Sequence, residues 1–255
     1  MLANSLLVSH RILLKIPLGF DSFPTLVAFV AALLLVIQIT WAIQDEGQGK
    51  HVGQLPRSHL ALIGRSLLAN ETLWGLANSL LRISALLSIK AMFCPLPDGR
   101  ERMGNGLIVA TALHGIAVVL EVFLICRPIA AAWDNNFAGM CGDQIVSYVV
   151  LEILGLLIDL VILVLPVWSL AKLEYSLRRK AGLSFVFSGG FVVIIINGLR
   201  VQALRMTTST DFTLSRGYLD LLSVLGCLLS IICCCIPSVV SVFNKLRYAH
   251  IRVHI

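Results

Sequence analysis

Long apolar runs and short polar connectors alternate through this chain, and the runs are of bilayer length. A membrane-spanning helix needs about 20 mostly apolar residues. Runs of that kind cover about 22–43, 66–90, 105–127, 145–169, 181–204 and 219–243, so the pattern predicts six transmembrane helices. The breakers fall between them. Gly47-Gln48-Gly49-Lys50-His51 and Pro56 follow the first run, Cys94-Pro95-Leu96-Pro97-Asp98-Gly99 the second, and Thr207-Thr208-Ser209-Thr210-Asp211 the fifth. A membrane barrel would instead show strands alternating with period two. The fold class expected is all-α: a polytopic bundle over 22–243, a short N-terminal segment over 1–21 and a basic tail over 244–255. No connector is long enough to fold as a soluble domain, and no solenoid-type repeat is present.

Composition adds direction to this picture. Of 255 residues, 58% are hydrophobic and 13% charged, about half the charged share of a soluble domain. The formal charge of +6 comes without a basic-aromatic patch, so it reads as a topology signal and not a nucleic-acid one. Twelve Lys and Arg fall on one side: Arg11, Lys15, Lys90, Arg100, Arg102, Lys172, Arg178, Arg179, Lys180, Lys245, Arg247 and Arg252. Five fall on the other: Lys50, Arg57, Arg127, Arg205 and Arg216. The richer side faces the cytoplasm, which places both termini there. Arg11 and Lys15 interrupt the first apolar stretch, which does not read as a cleavable signal. Cys126 and Cys141 then lie on the lumenal or extracellular side, where disulfides persist. A bridge closing the short loop between them is expected, the alternative being two free thiols. Cys94 faces the reducing side and is expected to be a free thiol.

Ionisable residues inside the spans carry the candidate chemistry. A charge at mid-membrane costs about 2.5–3.5 kcal/mol on insertion scales, so such groups face the bundle interior and pair. Here they are Glu71, Arg82, His114, Glu121, Glu152, Asp159 and Arg200. Helical spacing puts Glu152 with Asp159 on one face and His114 with Glu121 on another, while Glu71, Asn78 and Arg82 share a stripe. Asn197 and Arg200 form a fourth. By depth, Arg82 and Asp159 lie towards the cytoplasm and are predicted to form a structural ion pair. Glu71, Glu121, Glu152 and Arg200 lie in the lumenal half. Arg200 is expected to pair with Glu121 or Glu152, leaving one carboxylate in a lumenal cavity as a candidate proton donor. The candidate ligand-pocket residues are Glu71, His114, Glu121, Glu152 and Arg200, and the candidate catalytic carboxylates are Glu121, Glu152 and Asp159. The plainer alternative is that all are helix–helix glue, each contact contributing ~1 kcal/mol or less.

Other features point away from familiar chemistry. Cys233-Cys234-Cys235 project in different directions on a helix, which favours small-residue packing over metal binding or palmitoylation. His51 and His59 are far from any Cys/His ligand spacing, so no metal site is expected. Gly47–Gly49 lacks the strand-turn-helix context of a nucleotide loop and reads as a turn. Gly189-Gly190 reads as a close helix contact, and Pro166 and Pro237 as kinks or helix ends. No Ser-His-Asp, H-E-x-x-H or P-loop arrangement is present.

Several short motifs, in order, resemble a large fungal family of integral membrane proteins with a rhodopsin-like domain. It includes the satratoxin-cluster membrane protein type and relatives of the Pth11-like receptors. The matching pieces are Gly47–His51 (G-x-G-x-H), Leu81-Arg82-Ile83-Ser84, Cys126-Arg127-Pro128 with Trp133-Asp134, and Gly139-Met140-Cys141. Asp159 before Val161–Pro166 follows, then Arg178–Lys180, Phe187–Phe191 with Arg200, and Ile231–Pro237. The resemblance covers roughly 21–247 and implies a seven-helix fold, of which 1–20 reads as the tail of the first helix. It also marks departures. The family's acidic-acidic-Trp start reads Asp21-Ser22-Phe23, its Trp, Glu and Asn in the last span read Leu222, Gly226 and Leu228, and its Asn before the Asp159 position reads Gly155. Retinal needs a buried Schiff-base lysine. The last span holds none, Lys245 lies beyond it, and no lysine sits mid-membrane, so no retinal cofactor is expected.

Three functional classes fit these observations. The resemblance implies a multi-pass membrane protein of fungal secondary metabolism, accessory in role, handling or sensing a lipophilic compound. A seven-helix-type receptor is the second, weakened by short inner loops. An intramembrane cyclase or isomerase using buried carboxylates for acid catalysis is the third. The partners expected are the lipid bilayer and a lipophilic small molecule, with no nucleic acid. A transporter is disfavoured because no inverted repeat is evident.

Overall fold

A computed structural model describes residues 22–45, 47–51, 56–93, 98–133, 139–170, 177–206 and 212–253. Among them are six long helices: α1 (Ser22–Gln44), α2 (Arg57–Phe93), α3 (Asp98–Leu124), α4 (Gln144–Leu170), α5 (Leu177–Met206) and α6 (Phe212–Val253). Each holds a segment long and apolar enough to cross a bilayer. Hydrocarbon offers no partner for a free N–H or C=O, so the helix, which satisfies both internally, is the form such segments take. The outward faces agree: Phe29, Leu33 and Ile37 on α1, Leu113, Ile116 and Leu120 on α3, and Leu157, Val161 and Val164 on α4 are exposed apolar side chains. On a water-soluble protein stripes of this extent would be an aggregation surface. Here they face lipid.

The helix ends correct the predicted spans. α2 begins at Arg57 and α6 at Phe212, several residues ahead of the hydropathy signal. Polar first turns continue a helix once packing supports them, and hydropathy registers only the apolar part. α4 runs on through Pro166 and α6 through Pro237, so neither proline ends its helix. The basic stretch after 243 continues α6 as far as Val253. Cys94 and Asp134 lie outside the described residues.

α2 sits at the centre, touching α1, α3, α4 and α6. Its contact with α1 is built on small residues, since Ala28, Ala31, Ala32 and Ala42 are buried along one stripe and let the backbones approach. One core cluster joins Ala31, Leu35 and Ile39 to Trp74, Ala77 and Cys227. A second gathers Leu67, Leu68, Val122, Tyr148, Val149, Leu204 and Leu219 nearer the other end. A Cβ on Gly189 would run into Cys233 of α6, and one on Gly190 would come within 2.8 Å of Leu163 on α4. The glycine pair therefore sits at a close three-helix approach.

Between α3 and α4 the chain folds into a small tied loop. α3 stops at Leu124, short of the predicted 127, because Cys126–Arg127 (β1) pairs antiparallel with Met140–Cys141 (β2). Cys126 and Cys141 are joined in a disulfide across a sequence separation of 15. A single 3-10 turn, Ile129–Ala132, leads to Trp133, which packs over Gly64 of α2 with the Arg65 guanidinium 5.1 Å from its ring centroid. The loop thus staples α3 and α4 and rests on α2. Closing a loop of this length is worth about 3 kcal/mol in the unfolded-state entropy picture. Cys126→Ser with Cys141→Ser is accordingly expected to lower stability by about 2–4 kcal/mol. The check is a lower melting temperature in detergent, together with loss of the gel-mobility difference between reduced and non-reduced protein.

Candidate functional site

The end of the bundle that carries the disulfide holds a buried polar cluster centred on Arg200 of α5. This side chain is fully buried, and its guanidinium is enclosed by four other groups. Nη2 donates to both Glu71 oxygens at 2.7 and 2.8 Å, Nη1 pairs with Glu152, and Nε donates to Ser223 Oγ at 2.9 Å. The Trp74 ring lies beneath, its centroid 3.5 Å from Cζ. Glu71 and Trp74 are one turn apart on α2, so both reach the same guanidinium. The sequence offers Glu121 or Glu152 as partner; the structure brings Glu152 to Arg200, together with Glu71. Depth alone puts Glu71 within range, but the rotation of α2 about its axis decides which arginine it meets.

A second buried carboxylate, Asp220 of α6, is not among the candidates that the sequence points to. It falls at the second position of the span expected from 219, where a charge is unremarkable. With α6 starting at Phe212, Asp220 lies two turns inside the helix and is 1% exposed. Gln48 Nε2 donates to its Oδ2 at 2.5 Å, and Asn70 Nδ2 to its Oδ1. Arg216, one turn earlier on α6, donates from Nη1 to Ile63 O at 3.1 Å. The signal is legible in principle, because Arg216, Asp220, Ser223 and Cys227 recur at helical spacing along one face. Gln48 is delivered by the connector after α1, where Gly47 and Gly49 have φ of 76° and 90°, a left-handed conformation that only glycine adopts cheaply. Thr213 Oγ1 donates to Lys50 O at 2.5 Å, and a Cβ on Gly217 would lie 3.3 Å from the Gly49 backbone. The turn expected over Gly47–Gly49 is therefore a plug seated on α6.

Further along the bundle, Arg82 meets Asp159. Nε donates to Oδ1 at 2.6 Å and Nη2 to Oδ2 at 2.9 Å, while Asn197 Nδ2 donates to the same Oδ2 at 3.0 Å. Gly155 makes room for this arrangement, since a Cβ there would lie 2.9 Å from Arg82 Nη2. His114 is elsewhere, at the α3–α4 seam, with Nε2 2.9 Å from Leu151 O. It lines a groove of about 460 Å³ walled by Leu107, Ala110 and Leu113 on α3 and by Leu154, Leu157 and Val161 on α4. Of the five pocket candidates only His114 borders this groove. Glu71, Glu152 and Arg200 are locked together, and Glu121 lies beside Ser147 near the end of α3.

The sequence profile of the fungal rhodopsin domain matches residues 6–245. The chain belongs to the fungal rhodopsin domain family. It is 25% identical to a SAT4 family membrane protein of Emericella nidulans over 166 residues, 64% of this chain and 43% of that protein. It is 25% identical over 138 residues to the Satratoxin biosynthesis SC1 cluster protein 4 of Stachybotrys chartarum, 54% of this chain and 50% of that protein. The chain thus matches about half the length of these curated relatives. No solved structure matches it.

In this fungal rhodopsin domain the three candidate catalytic carboxylates are unequal. Glu152 and Asp159 are each held against a different arginine. Among the described residues Glu121 has no guanidinium against it. The groove, by contrast, is apolar throughout except at His114 and is open to the side, where lipid lies.

Proposed function

We propose that this chain serves fungal secondary metabolism as a multi-pass membrane protein that handles or senses a lipophilic compound. In this reading the disulfide end faces the lumen or exterior and both termini lie in the cytoplasm. The positive-inside charge distribution and the redox requirement of the Cys126–Cys141 bridge support that orientation. The pathway class comes from the satratoxin-cluster relative. The observation that carries the molecular role is the α3–α4 groove. Its volume falls in the range of small-molecule sites, and its walls are apolar with one imidazole near mid-depth. A hydrophobic compound dissolved in the bilayer reaches such a groove laterally, without crossing water. A second reading, acid catalysis on a greasy substrate, rests on Glu121 alone among the candidate carboxylates.

The test is untargeted metabolite profiling of a fungal deletion strain complemented with wild type or with Leu154→Trp, which fills the groove from a lipid-facing position. The expected result is an intermediate that accumulates on deletion, is cleared by wild type and persists with Leu154→Trp at normal protein level. An unchanged profile combined with an altered transcriptional response to external cues would overturn handling in favour of a receptor.

A further inference from the structure

Glu121 differs from every other buried carboxylate described in this bundle by what surrounds it. Both of its oxygens are shut off from solvent, and neither makes a hydrogen bond of ordinary geometry. The group beside it on α4 is the Ser147 hydroxyl, and the charge facing it from α2 is that of Glu71, which has the same sign. Tyr148, next on α4, is 4% exposed, and its phenol oxygen is buried without a hydrogen-bond partner. That phenol lies in the fields of Glu121, Glu71 and Arg216. Two oxygen-bearing side chains, Glu121 and Tyr148, therefore lie here with unmet hydrogen-bonding capacity, and the Ser147 hydroxyl stands beside the first.

Charge counting says what is missing. Among the described residues this end of the bundle buries Glu71, Glu121, Glu152 and Asp220 against Arg200 and Arg216. Arg200 is taken by Glu71 and Glu152, and Arg216 faces Asp220. Nothing positive among them is left for Glu121. An ionised carboxylate in that position would lack a counter-charge and hydrogen bonds and would sit beside a like charge, the costliest of arrangements in a low dielectric. The count is two positive charges short, with Glu71 and Glu152 sharing one guanidinium and Glu121 having none beside it among the described residues.

We propose that Glu121, Ser147 and Tyr148 form a cation-accepting site near the disulfide end, filled by a proton or by a small monovalent cation such as sodium. The donor set is all oxygen, the kind that suits a proton or a hard cation. Glu121 stands one turn from the end of α3, where the tied loop begins, so the site is filled from the disulfide side of the membrane. A proton on one Glu121 oxygen makes the carboxyl a donor to a neighbouring hydroxyl, while the phenol O–H turns to the other oxygen. A sodium ion draws on the same oxygens as ligands. This site is separate from the α3–α4 groove, and its test does not depend on any metabolite.

The experiment uses the full chain purified in lipid nanodiscs at neutral pH. Infrared spectra are compared between wild type and Glu121→Gln in sodium chloride and in choline chloride. In choline, wild type is expected to show a protonated-carboxyl C=O stretch that is absent from Glu121→Gln. If sodium competes, the band disappears in sodium and the melting temperature rises for wild type only. If the proton alone binds, the band is the same in both salts. A spectrum in which Glu121→Gln removes no carboxyl band in choline, together with equal wild-type melting temperatures in the two salts, overturns the proposal. Tyr148→Phe keeps the carboxyl but removes its hydroxyl neighbour, so it is expected to shift the band. An unshifted band removes Tyr148 from the site even where Glu121→Gln fails to fold.

Discussion

Arg200→Ala is expected to leave almost no folded protein. The substitution removes the guanidinium that holds Glu71 and Glu152, along with the donor to Ser223 and the cation over Trp74. Breaking a buried ion pair by deleting one partner costs about 3–5 kcal/mol, because the surviving charge stays buried and unpaired. Here two carboxylates survive. The interhelical polar contacts that merely glue membrane helices contribute about 0.6 kcal/mol each, so a loss of this size separates the two descriptions of the cluster. The measurement is the monodisperse fraction on size exclusion after a temperature ramp in detergent. A folding equilibrium lowered by on the order of a hundredfold or more is the expected outcome. Arg200→Lys is not expected to rescue it, since one ammonium cannot match two carboxylates, a hydroxyl and an aromatic face at once. Arg200→Met combined with Glu71→Gln and Glu152→Gln is expected to recover much of the loss. If the single and triple variants fall equally, the defect is one of packing and not of charge.

Arg82→Met is the second large effect. Asp159 would keep only the Asn197 amide, and the two short bonds from Nε and Nη2 would go. A cost of about 3–5 kcal/mol is expected from the stranded carboxylate. The reverse change, Asp159→Leu, strands the guanidinium instead and is expected to cost a similar amount. The pair Arg82→Met with Asp159→Leu removes both charges and is expected to melt closer to wild type than either single variant. A double-mutant cycle with no coupling would contradict the ion pair. This site lies away from the disulfide end, so its variants leave the Arg200 cluster as an internal control.

What can be read from the sequence follows from which forces leave a one-dimensional trace. The bilayer imposes apolar runs of fixed length, so six spans and their connectors stand out from hydropathy alone. Depth is almost as legible, because residue number along a span converts directly to height. That is why Arg82 can be matched to Asp159, and why Glu152 is among the partners expected for Arg200. Rotation about the helix axis leaves no such trace. Glu71 shares a stripe with Asn78 and Arg82, yet the packing of α2 against α4 and α6 turns it to Arg200. Asp220 escapes for a different reason: the apolar signal of α6 begins later than the helix does. Gln48 cannot be foreseen from hydropathy at all, because its reach depends on the left-handed turns at Gly47 and Gly49.

The central position of α2 bears on how the chain is made. This helix carries Glu71 and Arg82 in its span and leaves the ribosome well before α4 brings Glu152 and Asp159 or α5 brings Arg200. A lone helix bearing such charges enters lipid at a penalty of about 2.5–3.5 kcal/mol per group. Until its counter-charges emerge, α1, whose alanine stripe packs against α2, is the one earlier helix among the described residues available to cover it. The ion pairs can close only once α4 and α5 are in place. Assembly in this protein is a late, C-terminal event, and the order in which its helices are translated is the order in which its charges wait.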